Sequence, residues 1–212
     1  MANVDTELMQ FVSAIVLGDG PTVSLLLVAS PELARARFIA GATRQAANSF
    51  FLDRIERYIV AGDSALHIAA AAYQTEIVRQ LIAAGADVHA QNRFGDQPLH
   101  AAAVGNPNSL RWNPVAQAAT IEMLIEAGAD PKAADKRGVT PLHKAVRTRC
   151  AAAVHALLER GADPAIKNKS GSTPMLLARQ NTGRGGTGTP EAKAQQQEIV
   201  RLLEERTSVS SR

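Results

Sequence analysis

Only one cysteine, Cys150, occurs in 212 residues, so no internal disulfide can staple the chain, in keeping with a reducing compartment. Aromatic residues make up 4% of the sequence, with a single tryptophan, Trp112. Binding of single-stranded nucleic acid by base stacking therefore has little to work with. No apolar run approaches the ~20 residues of a membrane span, and the longest aliphatic stretch, VSLLLVA, covers only residues 23–29. The opening MANVDTELMQFV lacks a basic segment followed by an apolar one, which leads to the expectation of a cytoplasmic protein with no membrane attachment. Excess charge of one sign is also scarce. The net charge of +3 is small for the length and argues against nucleic acid as the partner. Its distribution is uneven, however: residues 1–130 hold 8 Lys or Arg against 13 Asp or Glu, and residues 131–212 hold 15 against 7.

What the chain does have is self-similarity. GDSALHIAAAA, GDQPLHAAAVG, GVTPLHKAVRT and GSTPMLLARQN begin at Gly62, Gly95, Gly138 and Gly171, and GAD recurs at Gly85, Gly128 and Gly161. Both series are spaced by 33 residues except for one interval of 43, so a single ten-residue insertion lies between Leu99 and Leu124. Thr140-Pro141 and Thr173-Pro174 supply a hydroxyl N-cap followed by proline in the first helical turn, and Ser64 can cap in the same way. A short alanine-rich helix should follow each cap, then a turn, then a second helix such as EIVRQLIAAG with apolar residues at helical spacing. The GAD glycines sit just past these second helices, where a left-handed C-cap favours glycine.

A 33-residue unit of turn, helix, turn and helix carrying TPLH and GAD signatures resembles the ankyrin repeat. The resemblance implies an all-α ankyrin-repeat solenoid, with stacked helix pairs and hairpin fingers projecting to one side. It further implies a non-enzymatic protein-protein interaction module or scaffold that binds through fingers and first helices. The pattern is also similar to that of small bacterial ankyrin proteins.

The same ruler places the ends. FVSAIVLGDGPTVSLLLVAS matches LHIAAAAYQTEIVRQLIAAG at an offset of 55, pairing Phe11 with Leu66, Ala14 with Ala69, Val23 with Val78 and Leu26 with Leu81. Residues 5–30 then form a degenerate N-terminal repeat, 31–61 an insertion, 62–94, 95–137 and 138–170 repeats, 171–206 a C-terminal capping repeat and 207–212 a tail, all within one domain. Within the first insertion SFFLDRIERYIV fits a short amphipathic helix. Two further insertions, NPNSLRWNPVAQ and NTGRGGTGTPEA, separate first from second helices. The glycine-rich run in the latter has no preceding strand and no GK[ST] ending, so it reads as an interhelix loop rather than a phosphate cradle.

Candidate site residues fall into two sets. On the interhelix edge, Arg111, Trp112, Arg147, Arg149 and Arg184 could form a basic ledge around the sole tryptophan, since Trp and Arg often anchor interfaces. The alternative is that Trp112 tucks its ring over the helices and the arginines stay solvated. On fingers and first helices, Arg93, Phe94, Lys132, Lys136, Arg137, Lys144, Lys167 and Lys169 should face a partner, and their charge points to an acidic protein segment. A second functional reading is a small-anion or nucleotide sensor built on the arginine ledge and the glycine-rich loop.

No catalytic constellation, metal site or cofactor is expected. His67, His100 and His143 share one repeat position, where in the Ser64 and Thr140 units the ring can reach back to its helix start. Stacked helices lie ~8–10 Å apart, too far for such histidines to share a zinc at ~2.1 Å. His89 and His155 stand alone. Cys150 follows Arg147 and Arg149, neighbours that could activate a thiol, but no base or orienting group accompanies it, so a packed thiol is the expectation.

Overall fold

A computed structural model describes residues 2–43, 45–180 and 189–209. Five helix pairs follow one another among these residues: α1 (Ala2–Leu17) with α2 (Gly20–Ala29), α3 (Ala65–Ala71) with α4 (Thr75–Ala83), α5 (Pro98–Ala102) with α6 (Pro114–Glu126), α7 (Pro141–Arg147) with α8 (Ala151–Glu159), and α9 (Pro174–Arg179) with α10 (Pro190–Val209). First helices stack on first helices and second on second, from α1 through α9 and from α2 through α10. The result is the all-α solenoid that the repeats imply.

The helices start where the chemistry of their caps dictates. Thr173 Oγ1 accepts from Leu176 N at 3.2 Å, and Asn113 Oδ1 accepts from Val115 N and Ala116 N at 3.1 and 3.0 Å. Proline follows the cap in α5, α6, α7 and α9, where its missing N–H leaves no bond unmade. First helices bury small residues such as Ala69, Ala70, Ala101, Ala102 and Ala145, which lets neighbouring backbones approach closely. Second helices fill the remaining space with Ile77, Leu81, Ile121, Leu124, Leu157 and Leu203. Phe11, Ala14 and Val23 are buried as their partners at the 55-residue offset are, while Leu26 is only partly buried and Leu27 takes up core contact instead.

In each of the three central repeats a histidine bonds the unit to the next. His67, His100 and His143 are fully buried, and each Nδ1 lies 3.1–3.2 Å from the backbone N–H of its own cap residue, Ser64, Gln97 or Thr140. An amide can only donate, so Nδ1 must be the unprotonated acceptor and Nε2 carries the hydrogen. Nε2–H then donates to a carbonyl of the next repeat: Asp96 O at 2.9 Å from His67, Val139 O at 3.0 Å from His100 and Ser172 O at 3.0 Å from His143. In the last pair Leu176 holds this position, and the described residues include no later repeat.

The fingers are joined by main-chain bonds at matching positions: Arg93 N to Ala61 O, Lys136 N to Phe94 O and Lys169 N to Arg137 O, at 2.8–3.0 Å. Gly95 and Gly138 sit in this ladder at φ +83° and +73°, and an added Cβ would meet the next finger's backbone at 2.9 and 3.0 Å.

The first insertion departs from the expected amphipathic helix. Phe51–Leu52 (β1) and Arg57–Tyr58 (β2) pair antiparallel around a 3-10 turn at Asp53–Ile55, with Glu56 in the left-handed region at φ +50°. Phe51 and Tyr58 face one another across the ladder, ring centroids 4.7 Å apart, and such cross-strand aromatic pairs favour strand over helix. Arg57 Nη2 reaches the fully buried Asp63 at 3.1 Å, and Asp63 also accepts from Val60 N and Asn92 Nδ2 at 2.9 Å. Burial pushes the Asp63 carboxyl up, but Arg57, His67 and these hydrogen bonds outweigh it and hold it below the usual carboxylate range. Earlier in the insertion, Phe38 exchanges backbone bonds with Gly62 and Asp63, so it supplies the edge that a preceding finger would offer.

Two predictions follow from these ties. Burial, only partly opposed by nearby carboxylates and carbonyl bonds, holds all three stacked histidines below their ordinary range, His100 at about 4. The unfolded chain, with histidines near 6.5, therefore takes up protons first, and stability present above that pH is lost on descending toward 4, His100 contributing on the order of 3 kcal/mol. Urea unfolding at neutral pH and at pH values between these two limits checks this; undiminished stability across the window would contradict it. Second, Gly138→Ala should destabilise more than Gly171→Ala. Both residues have positive φ, costing about 1–2 kcal/mol for alanine, but only at Gly138 does the methyl group also meet backbone. Equal unfolding midpoints would remove the finger ladder from the account.

Candidate functional site

The finger set divides at the third repeat. The first finger is clasped by the insertion: Arg35 Nε donates to Gly85 O at 3.0 Å, Arg37 pairs with Asp87 at 3.4 Å, and Arg93 Nη2 donates to Ala42 O at 3.1 Å. Arg93 also lies over the half-exposed Phe94 ring at 4.8 Å. The following fingers carry no such cover among the described residues. Lys132, Lys136, Arg137, Lys167 and Lys169 are exposed. The carboxylates beside them bind turn amides: Asp135 Oδ1 holds Arg137 N and Val139 N, Asp130 holds Lys132 N, and Asp163 holds Ala165 N. The Asp135 side chain is wholly buried and lies 3.6 Å from Arg137, while Asp130 stays exposed beside Lys132.

Lys144 does not belong to that surface. Its Nζ meets Asp96 Oδ2 at 2.7 Å between neighbouring repeats, and its side chain is only 15% exposed. Burial lowers its pKa although Asp96 opposes the shift, so this lysine joins repeats rather than meeting a partner.

The interhelix edge is also arranged differently from a single arginine ledge. Arg149 is buried and holds φ +59° in the turn between α7 and α8, the position that Tyr73 occupies at φ +55° between α3 and α4. Arg147 is exposed at the end of α7. Arg111 Nη1 turns to Asp53 O at 2.7 Å, and Asn106 and Ser109 bond the two carboxylate oxygens of Glu56 at 3.1 and 3.2 Å. The second insertion thus closes onto the first. At its other side Asn108 Oδ1 accepts from Thr189 Oγ1 at 3.0 Å, the point where the chain re-enters α10. Arg184 and the glycine-rich run lie outside the described residues.

Trp112 is half-buried against the core, with Nε1 donating to Gln117 Oε1 at 2.8 Å. Beside it Cys150 is fully buried, and burial pushes its thiol up to about 11. The flanking arginines do not activate it. A cysteine-directed disulfide reagent should label Cys150 only as fast as the protein unfolds; stoichiometric labelling of the native chain on mixing at mildly alkaline pH would contradict this placement.

Two family models match the chain, one described as ankyrin repeats in three copies over residues 12–112 and one as ankyrin repeats in many copies over residues 124–178. The chain belongs to the ankyrin repeat family. Comparison with curated proteins gives no match. Ankyrin repeats are in general protein-protein interaction modules, and that coarse role applies here. Among the described residues no helix is long and apolar enough to cross a membrane, and no group of three or more His, Cys, Asp or Glu could hold a metal ion.

Sequence reasoning missed Arg54, Glu56, Arg57 and Tyr73. Glu56 binds Asn106 and Ser109 some fifty residues away and Arg57 binds the buried Asp63, so neither setting shows in the local sequence.

Proposed function

We propose that this ankyrin protein is a non-enzymatic interaction module whose later fingers hold an acidic segment of a protein partner. The observation that carries the reading is the exposed row of Lys132, Lys136, Arg137, Lys167 and Lys169, beneath which the Asp135 side chain is buried on turn amides. Arg137 lies 3.6 Å from Asp135, but the four lysines have no carboxylate partner among the described residues, so an approaching acidic chain meets uncancelled charge, which favours encounter and register. The first insertion supports the same face, because it clasps the N-terminal finger and leaves those of the C-terminal half open.

Capture from the native cell lysate, read by mass spectrometry, compares the wild-type chain with a Lys136→Glu, Arg137→Glu, Lys169→Glu variant of confirmed folding. Their finger bonds are mostly main-chain, so the solenoid should survive the change. A partner held by the wild type should be lost by the variant, and its affinity should fall with added salt. Equal retention by both, with no salt dependence, would remove the basic fingers from the interface.

A further inference from the structure

The two insertions that meet at Glu56 enclose a cleft over the C-terminal ends of α3 and α5, with a volume of about 580 Å³. That size lies within the range of roughly 300–1,000 Å³ typical of small-molecule sites. The cleft opens on the interhelix edge, at the end of the first helices opposite the fingers, and its lining has a distinct chemistry.

Its aromatic walls are Tyr73 and Trp112. The Tyr73 hydroxyl donates to Val104 O, and the Trp112 N–H donates to Gln117, so both polar tips are committed to protein. What remains of these side chains for a ligand is ring surface. The charged lining is three guanidiniums against one carboxylate: Arg54, Arg57 and Arg111 against Glu56. Glu56 uses both oxygens to bind Asn106 and Ser109, which fixes the roof. Arg57 is matched by Asp63, through Nη2, and its Nε–H is left without a partner. Arg111 bonds a neutral carbonyl, and Arg54 is exposed with no bond to the described protein. The positive charges of Arg54 and Arg111 are therefore not paired with any carboxylate among the described residues.

We infer that this cleft binds a small planar anion, an aromatic ring bearing a carboxylate or phosphate, with Tyr73 and Trp112 against the ring and Arg54 and Arg111 on the oxyanion. Guanidinium groups match both oxyanions through paired N–H donors, and ring stacking adds a contact indifferent to charge. The site is separate from the basic fingers, so it stands or falls independently of the partner proposed above.

Trp112 is the sole tryptophan and forms one wall, so its fluorescence reports occupancy directly. The full chain is titrated with phenyl phosphate, benzoate, inorganic phosphate and benzyl alcohol. The expected result is a saturable change in emission with phenyl phosphate or benzoate, the tighter of the two identifying the oxyanion, and at least about tenfold weaker binding of the ringless ion and the neutral ring. Arg54→Gln removes a charge without breaking a protein contact, so it should leave the melting temperature unchanged and weaken the aromatic anion about tenfold. Absence of a saturable response to either aromatic anion at millimolar concentration would overturn the site. An equal response to benzyl alcohol, or unchanged affinity in Arg54→Gln, would overturn its assignment to anions.

Discussion

A single hydrogen bond, from the Nε2–H of a buried histidine to a carbonyl of the following repeat, links the local structure of this protein to its long-range order. The same ring accepts the cap amide of its own first helix through Nδ1. Forming the helix start and docking the next repeat are thereby one event. Neither half is expendable, because a buried amide or carbonyl left unpaired costs about 1–3 kcal/mol. The alanine-rich first helices make the bond reachable by letting successive pairs approach closely, and the leucine and isoleucine of the second helices supply the apolar burial around it. Leu176 breaks the series in the last described pair, where no later repeat among the described residues offers a carbonyl.

The insertions leave this stack intact because they enter at helix ends rather than within helices. Asn113 and Pro114 restart α6 with a full cap after the second insertion, and Thr189 precedes α10 after the third. Freed from the repeat pattern, the inserted segments bond to each other. Arg111 reaches Asp53, Glu56 gathers Asn106 and Ser109, and Asn108 reaches Thr189. The molecule acquires two unlike sides from this. The fingers of the C-terminal half present exposed cations above the buried Asp135, while the opposite edge carries a roofed cleft of rings and arginines.

Much of the fold was legible in the sequence because each repeat restates the same requirements: glycine where φ is positive, a cap before proline, a histidine three residues after the cap. The first insertion was not legible, since whether SFFLDRIERYIV is helix or hairpin is decided by the pairing of Phe51 with Tyr58 and of Arg57 with Asp63. Site residues were harder for the same reason. Lys144 reads as an exposed first-helix cation until Asp96, on a neighbouring repeat, is placed beside it at 2.7 Å. Arg149 looks like surface charge in VRTRC, but its turn requires a left-handed residue whose side chain is packed inward. Exposed finger cations such as Lys132, Lys167 and Lys169 were readable because nothing distant claims them.

The tautomeric state of the stacked histidines tests the central claim most directly. Nitrogen-detected NMR of the imidazole rings at neutral pH should show His67, His100 and His143 as neutral rings with hydrogen on Nε2, each protected from solvent exchange and each correlated across a hydrogen bond to the carbonyl of the next repeat. Hydrogen on Nδ1, or charged rings in rapid exchange at that pH, would contradict the account, because neither form can accept the cap amide and hold the following repeat together.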